Sequence, residues 1–200
     1  MPTHLLHGFP GGRSEATRIC FHAAGIKLEQ RRYDRPAYQD KKSTTTDKAW
    51  ATGLPVLEID GVPYTQSLSQ ARYAAKLAKL YPEDPFAALR CDEVLDIWQD
   101  ILTKTPSPES EEDKKRERLL YAEGKMATLF DLLDQRVGES ESCFIVGDSL
   151  TVADLSLFAL FTMIREGNFT YVPETYIDRW PRLVKLEQSV SKHPVVTSYY

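Results

Sequence analysis

Cysteine is scarce in this chain. Cys20, Cys91 and Cys143 are the three in 200 residues, and no two of them form a C-x-x-C pair. That scatter excludes a dithiol redox motif and a zinc ribbon, and it makes no disulfide framework. It fits a reducing compartment with buried or incidental thiols. Long apolar runs are missing too: no stretch approaches the roughly 20 residues that span a bilayer. The first thirty residues lack the charged, apolar and small-residue sections of a secretory signal. Positive charge is not in excess, since 25 Lys and Arg against 29 Asp and Glu leave a net charge of −4. No basic stripe therefore calls for nucleic acid or an anionic membrane. Repeats and low-complexity tracts are absent. Gly11-Gly12 is followed by neither G-x-x-x-x-G-K-[ST] nor G-x-G-x-x-G, so the phosphate-loop reading is weak. A cytoplasmic globular protein is the expectation, with 42% hydrophobic residues to build its core.

One stretch organises what is there. Val56, Leu57 and Ile59 make a short apolar strand, Asp60-Gly61 is a strong hairpin turn, and Val62 and Tyr64 begin the return strand. Ser67 then stands where an N-cap would, ahead of Leu68, Ala71, Ala74, Ala75 and Leu77 at helical spacing. Two features exceed a plain hairpin. A cis proline at Leu54-Pro55 would leave the preceding backbone N–H and C=O free to pair with an extended ligand. Gln66-Ser67 sets an amide, a hydroxyl and unsatisfied N–H groups at a helix N-terminus, which suits a carboxylate.

Upstream, His4 to His7 reads as a first strand and Gly8 to Gly12 as a turn. Arg13 to Ala24 reads as a helix with Ala16, Ile19, Cys20 and Ala23 on one face, closed by Gly25. Residues 26–33 read as a second strand parallel to the first. Residues 34–52, polar and rich in Lys and Thr, read as a loop with one weak helical turn. The result is a β-α-β…β-β-α unit of thioredoxin-like arrangement over residues 1–80. Its first turn holds no cysteine, so dithiol chemistry is excluded there.

Tyr81-Pro82-Glu83-Asp84-Pro85 breaks the pattern and marks a linker at 81–86; residues 87–200 read as all-helical. One helix carries Cys91, Val94, Leu95, Trp98 and Leu102, and Pro106 ends it. A long charged helix from Glu111 to Val137 is expected to bury Leu119, Met126, Leu129, Phe130, Leu133 and Val137. Thr151-Val152-Ala153-Asp154 is a capping-box variant opening a strongly apolar helix. Trp180-Pro181 starts a last amphipathic helix, which Pro194 ends.

The run L-P-V-L-E-I-D-G…Q-S followed by Ala71-Arg72-Tyr73 resembles the glutathione-binding half of cytosolic glutathione transferases, most nearly the sigma class. The S-x-T-x-A-D run from Ser149 to Asp154 resembles the folding cap of their helical part. The resemblance implies an enzyme conjugating the thiolate of glutathione to hydrophobic electrophiles in detoxification, with glutathione as co-substrate and no other cofactor or metal. Its alternative is a non-catalytic, glutathione-binding or structural relative in the manner of lens crystallins. A thiol of pKa about 8.5 is only a few per cent ionised at neutral pH, so lowering that pKa makes the nucleophile.

In sigma-like members a tyrosine ending the first strand, in a pattern like Y-F-x-x-x-G-R-A-E, donates to the thiol. Counting back from Gly12-Arg13-Ser14-Glu15, that position is His7, and no tyrosine precedes Tyr33. His7, Ser14 and Arg13 are thus the catalytic candidates. Leu54 and Pro55 match the backbone clamp, and Gln66 and Ser67 the residues that hold the γ-glutamyl group. Asp100 matches the acid that reaches the neighbouring subunit's glutathione, which implies a homodimer. For the glycyl carboxylate Lys42 and Trp50 are the nearest types, with Lys48 and Tyr38 as rivals. The electrophile pocket is expected from the turn after the first strand, the helix end at Thr103–Pro108 and the C-terminal tail, with Phe9, Tyr199 and Tyr200.

Overall fold

The computed structural model describes residues 2–139 and 142–200. β1 (His4–Gly8) leads through a 3₁₀ turn at Gly12–Ser14 into α1 (Glu15–Ala23), and β2 (Glu29–Arg32) follows. Gly25, at φ 64°, closes α1 as the glycine after its cap, a backbone angle that other residues rarely adopt. β2 is shorter than the 26–33 expected, because Ile26 and Leu28 pack on the core ahead of the paired residues. The larger correction is at 34–52. This is not a loop with one weak turn: α2 (Arg35–Thr44) is a full helix, capped by the Asp34 carboxylate accepting from the Ala37 N–H at 2.8 Å, with Pro36 in its first turn. A 3₁₀ turn at Lys48–Thr52 follows.

β3 (Val56–Ile59) and β4 (Val62–Tyr64) form the expected hairpin, with Asp60 at φ 49° and Gly61 at φ 80° in its turn. The sheet runs β2-β1-β3-β4, with β1 parallel to β2 and antiparallel to β3. Alternation along the strands deals their side chains to opposite faces. Leu6 and Leu57 enter the main core with Ile19, Cys20 and Phe21 of α1 and with Ala71, Ala74 and Ala75. Val56 belongs to a second small core with Tyr38 and Trp50 on the other face. α3 (Ser67–Leu77) begins one residue earlier than expected. Ser67 is its first residue, not its N-cap, and the cap position is Gln66 at φ 70° with no side-chain cap bond.

α4 (Pro85–Thr103) starts behind an Asp84 N-cap. α5 (Glu111–Tyr121) runs through a π turn at Ala122–Met126 into α6 (Ala127–Gly138). Of the residues expected to be buried on that long helix, Leu119 is 43% exposed; α5 buries none of its side chains, and the packed part begins at Ala122. α7 (Val152–Arg165) is buried along most of its length. Its Asp154, fully inaccessible, accepts at 2.8 Å each from the Thr151 N–H, the Thr151 hydroxyl and the Ile145 N–H. α8 (Pro181–Ser191) and α9 (Pro194–Thr197) complete the chain, so Pro194 ends one helix and opens a short one. The main core continues from the sheet's α1 and α3 face into α4, α6, α7 and α8. Among the described residues no helix is long and apolar enough to cross a membrane. Cys20 and Cys91 are free and buried, Cys143 free and exposed; burial pushes the Cys20 and Cys91 thiols up to about 12.

Candidate functional site

Three elements meet at a groove of about 280 Å³. Thr52, Gly53, Leu54 and Pro55 form one lip, Gln66 and Ser67 at the start of α3 the second, and Arg13 with Gln99 and Thr103 of α4 the far wall. The Leu54–Pro55 peptide is cis, as the sequence implied. Leu54 lies outside the β3 ladder, and among the described residues its backbone N–H and C=O have no partner. No side chain caps α3, which leaves its first-turn N–H groups available on the Gln66-Ser67 side. Arg13 donates to the Gln99 side-chain Oε1 at 2.8 Å and lies 5.8 Å from the Trp98 ring centre. Burial pulls the guanidinium below its ordinary pKa, yet a group of that basicity stays charged. A cation, a helix N-terminus and unpaired strand-like backbone therefore face one volume. Their chemistry suits a short peptide carrying a carboxylate.

Of the residues singled out from sequence, Arg13, Leu54, Pro55, Gln66 and Ser67 are brought together here. Ser14 is adjacent. It is 2% exposed, and among the described residues its hydroxyl has no hydrogen-bond partner. Gly8 is next to it: a Cβ on Gly8 would sit 3.3 Å from Ser14 Oγ, 3.4 Å from Arg18 Nη2 and 3.9 Å from Pro55 Cβ. The strand-end residue turned toward Pro55 and Ser14 is thus glycine, without a donor.

His7, one residue earlier, points the other way and is not part of the groove lining. It is 1% exposed, with Nδ1 3.0 Å from the Tyr33 hydroxyl and its ring edge-on to Trp50 at 4.7 Å between centres. Glu58 Oε1 is 3.1 Å from Nε2 but out of line for a hydrogen bond, and it becomes an ion-pair partner only when the imidazole is protonated. Burial lowers the imidazole pKa from 6.5. Glu58 opposes that, and Arg31 and Lys41 reinforce it.

Trp50, too, is outside the groove. It is 3% exposed in the small core, its carbonyl accepts from the Tyr38 hydroxyl at 2.9 Å, and the Lys41 ammonium lies 4.6 Å from its ring centre. Lys42 and Lys48 are exposed and line neither hollow. Asp100 pairs with Lys104 one turn along α4. Its neighbours Gln99 and Thr103 face the groove instead. Sequence reasoning passed over Gln99 and gave Thr103 only to the electrophile pocket, although their spacing of four residues put them on one face. It also passed over Arg18, an arginine in the apolar pattern of α1. Arg18 is 3% exposed and holds the turn, donating to the Phe9 carbonyl at 2.9 Å, Glu15 at 2.9 Å and Gln30 at 3.0 Å.

A larger hollow of about 760 Å³ adjoins the same turn. Pro10, Gly11 and Gly12 line it with Tyr199 and Tyr200, two of the three aromatics named from the sequence; Phe9, the third, is not in the lining. Its other wall is Phe158, Ala159, Thr162 and Met163 of α7, not the 103–108 segment. The Tyr200 hydroxyl donates to Glu15 at 3.0 Å, which fixes the tail against α1.

Residues 95–200 match the family described as "Glutathione S-transferase, C-terminal domain". The chain is 29% identical to hematopoietic prostaglandin D synthase of Gallus gallus, over all of this chain and 96% of that protein. It is 26% identical to S-crystallin 4 of Enteroctopus dofleini, over the same shares. The solved structure of rat hPGDS complexed with a quinoline superposes with a TM-score of 0.84 at 26% identity, covering 99% of this chain and 96% of that one. With its family match spanning more than half its length and its four-stranded sheet and helices in the same arrangement, the chain belongs to the glutathione S-transferase family.

Proposed function

We propose that this protein is a sigma-like, glutathione-dependent transferase acting on small hydrophobic electrophiles in cytoplasmic detoxification. The observation that carries the reading is the shared groove of Leu54, Ser67 and Arg13. Glutathione would lie extended along Leu54, its γ-glutamyl carboxylate on Ser67 and the α3 N-terminus, its sulfur toward Arg13 and Ser14. The thiol proton passes to solvent, the thiolate attacks the electrophile's carbon, a C–S bond forms and the leaving group departs. Ser14 supplies the hydrogen bond that favours the thiolate, and the Arg13 charge favours it further. His7 acts from behind the sheet, through Trp50, as a positioning residue. The hollow between the Pro10–Gly12 turn and α7 would take the electrophile. Asp100 has a role only in a homodimer, where it reaches the partner's glutathione.

The direct test is turnover of glutathione with a chloronitrobenzene electrophile, alongside retention on immobilised glutathione. Retention with turnover supports the enzyme. Retention without turnover supports a non-catalytic relative, a reading that Gly8 favours because the strand end offers no hydroxyl. Loss of both overturns the glutathione assignment.

A further inference from the structure

Gln70 sits one turn into α3, 2% exposed, in a position where the helix faces the sheet and an apolar side chain would be expected. Its Nε2 donates twice, to the Pro55 carbonyl at 3.0 Å and to the Tyr64 carbonyl at 2.9 Å. Among the described residues its Oε1 has no partner. The β3–β4 ladder ends with Leu57 opposite Tyr64, so Pro55 lies beyond the last paired residues. There one amide group ties the chain leaving the hairpin to the chain entering it.

Those two segments are the groove's lips. Pro55 follows Leu54 directly, and Tyr64 precedes Gln66 and Ser67 by two and three residues. We propose that Gln70 is a positioning residue for glutathione binding. Its two hydrogen bonds set the spacing between the Leu54 backbone and the Ser67 hydroxyl, and with it the reach over which an extended peptide meets both. This rests on the reading of the groove as the glutathione site.

The bonded geometry gives the argument its force. An amide NH₂ carries two donors at a fixed angle, so bonding both carbonyls fixes their separation as well as satisfying them. Without the amide the buried Pro55 carbonyl loses its donor and its tie to the Tyr64 segment, so it draws in water or moves away, and either outcome widens the groove. A lip displaced by a fraction of an ångström weakens ligands that must touch both sides.

The test uses Gln70→Met, which keeps the length and removes both donors, and Gln70→Glu, which keeps the shape and carries at most one. Glutathione affinity is measured by calorimetry well below each protein's unfolding midpoint, and KM and kcat with a chloronitrobenzene electrophile. The expected result for Gln70→Met is about tenfold weaker glutathione binding and a matching rise in KM, with kcat at saturating glutathione within about twofold. Gln70→Glu adds a readout that a merely structural role would not move. A protonated carboxyl donates to one carbonyl and a carboxylate repels both. The affinity ratio of Gln70→Glu to wild type should therefore be highest at low pH, still below one, and fall as pH rises. This second variant decides the matter if Gln70→Met does not fold. Unchanged affinity in a folded variant, or a ratio independent of pH, overturns the proposal. Failure of the wild type to bind glutathione overturns instead the reading of the groove.

Discussion

The Tyr33 hydroxyl and His7 Nδ1 are 3.0 Å apart, and this contact turns the imidazole toward Trp50 and away from the groove that holds Arg13 and Ser67. His7 ends in a closed cluster: Tyr33 on one nitrogen, Glu58 beside the other, Trp50 across the ring. Trp50 belongs to the turn at Lys48–Thr52, which runs directly into the lip at Thr52–Leu54. The histidine is thus part of the backing of that lip.

A pH dependence follows from this burial. The folded His7 pKa lies below 6.5, so between the two values the unfolded chain binds more protons than the folded one. Stability contributed by neutral His7 is complete above the unfolded value and is lost as pH falls through the folded one. Melting midpoints measured from about pH 7.5 down to about pH 5 should drop in wild type and drop less in His7→Asn. His4 and His193, also lowered by burial, add to both curves equally, which makes the difference between them the measure. Parallel curves would remove His7 from the effect.

Ser14 and His7 separate in kinetics. Ser14→Ala should lower kcat about tenfold while glutathione affinity stays within about twofold, since only the contact to the sulfur is lost. His7→Ala should do the reverse, raising KM through the loosened Trp50 turn and sparing kcat. Steady-state kinetics with glutathione varied reads both numbers. A large kcat loss in His7→Ala with none in Ser14→Ala would exchange the two roles.

Most of the fold was legible because its signals are local. The Asp60-Gly61 turn, Gly25 after α1 and the Thr151–Asp154 box each depend on a few neighbouring residues, and each appears where it was read. The helix at Arg35–Thr44 was hidden because its residues are mostly polar, so the apolar period that reveals a helix is missing; Asp34 and Pro36 were its only signals. The groove was legible on the Leu54–Ser67 side, where its lining residues lie on one continuous stretch. The placement of His7 outside that lining was not. A strand deals neighbouring residues to opposite faces, so a count that slips by one across the glycine turn exchanges His7 for Gly8. Gln70 was hidden for another reason: its partners are backbone carbonyls, which no side-chain pattern announces.

Asp154 should carry much of the stability of the helical half. Its carboxylate satisfies three donors in a site without solvent. Asp154→Ala leaves all three unpaired and should cost on the order of 3 kcal/mol, read as a lower urea midpoint at an unchanged m-value. A loss below about 0.5 kcal/mol would mean that the donors find other partners.

The central claim is where glutathione lies, and a crystal structure of the protein with glutathione bound tests it most directly. The account predicts the γ-glutamyl carboxylate on Ser67 and the first-turn N–H groups of α3, the cysteinyl backbone paired with Leu54, and the sulfur facing Ser14 and Arg13 with His7 still covered by Trp50. Glutathione bound elsewhere, or its sulfur in contact with a His7 swung out from beneath Trp50, would contradict it.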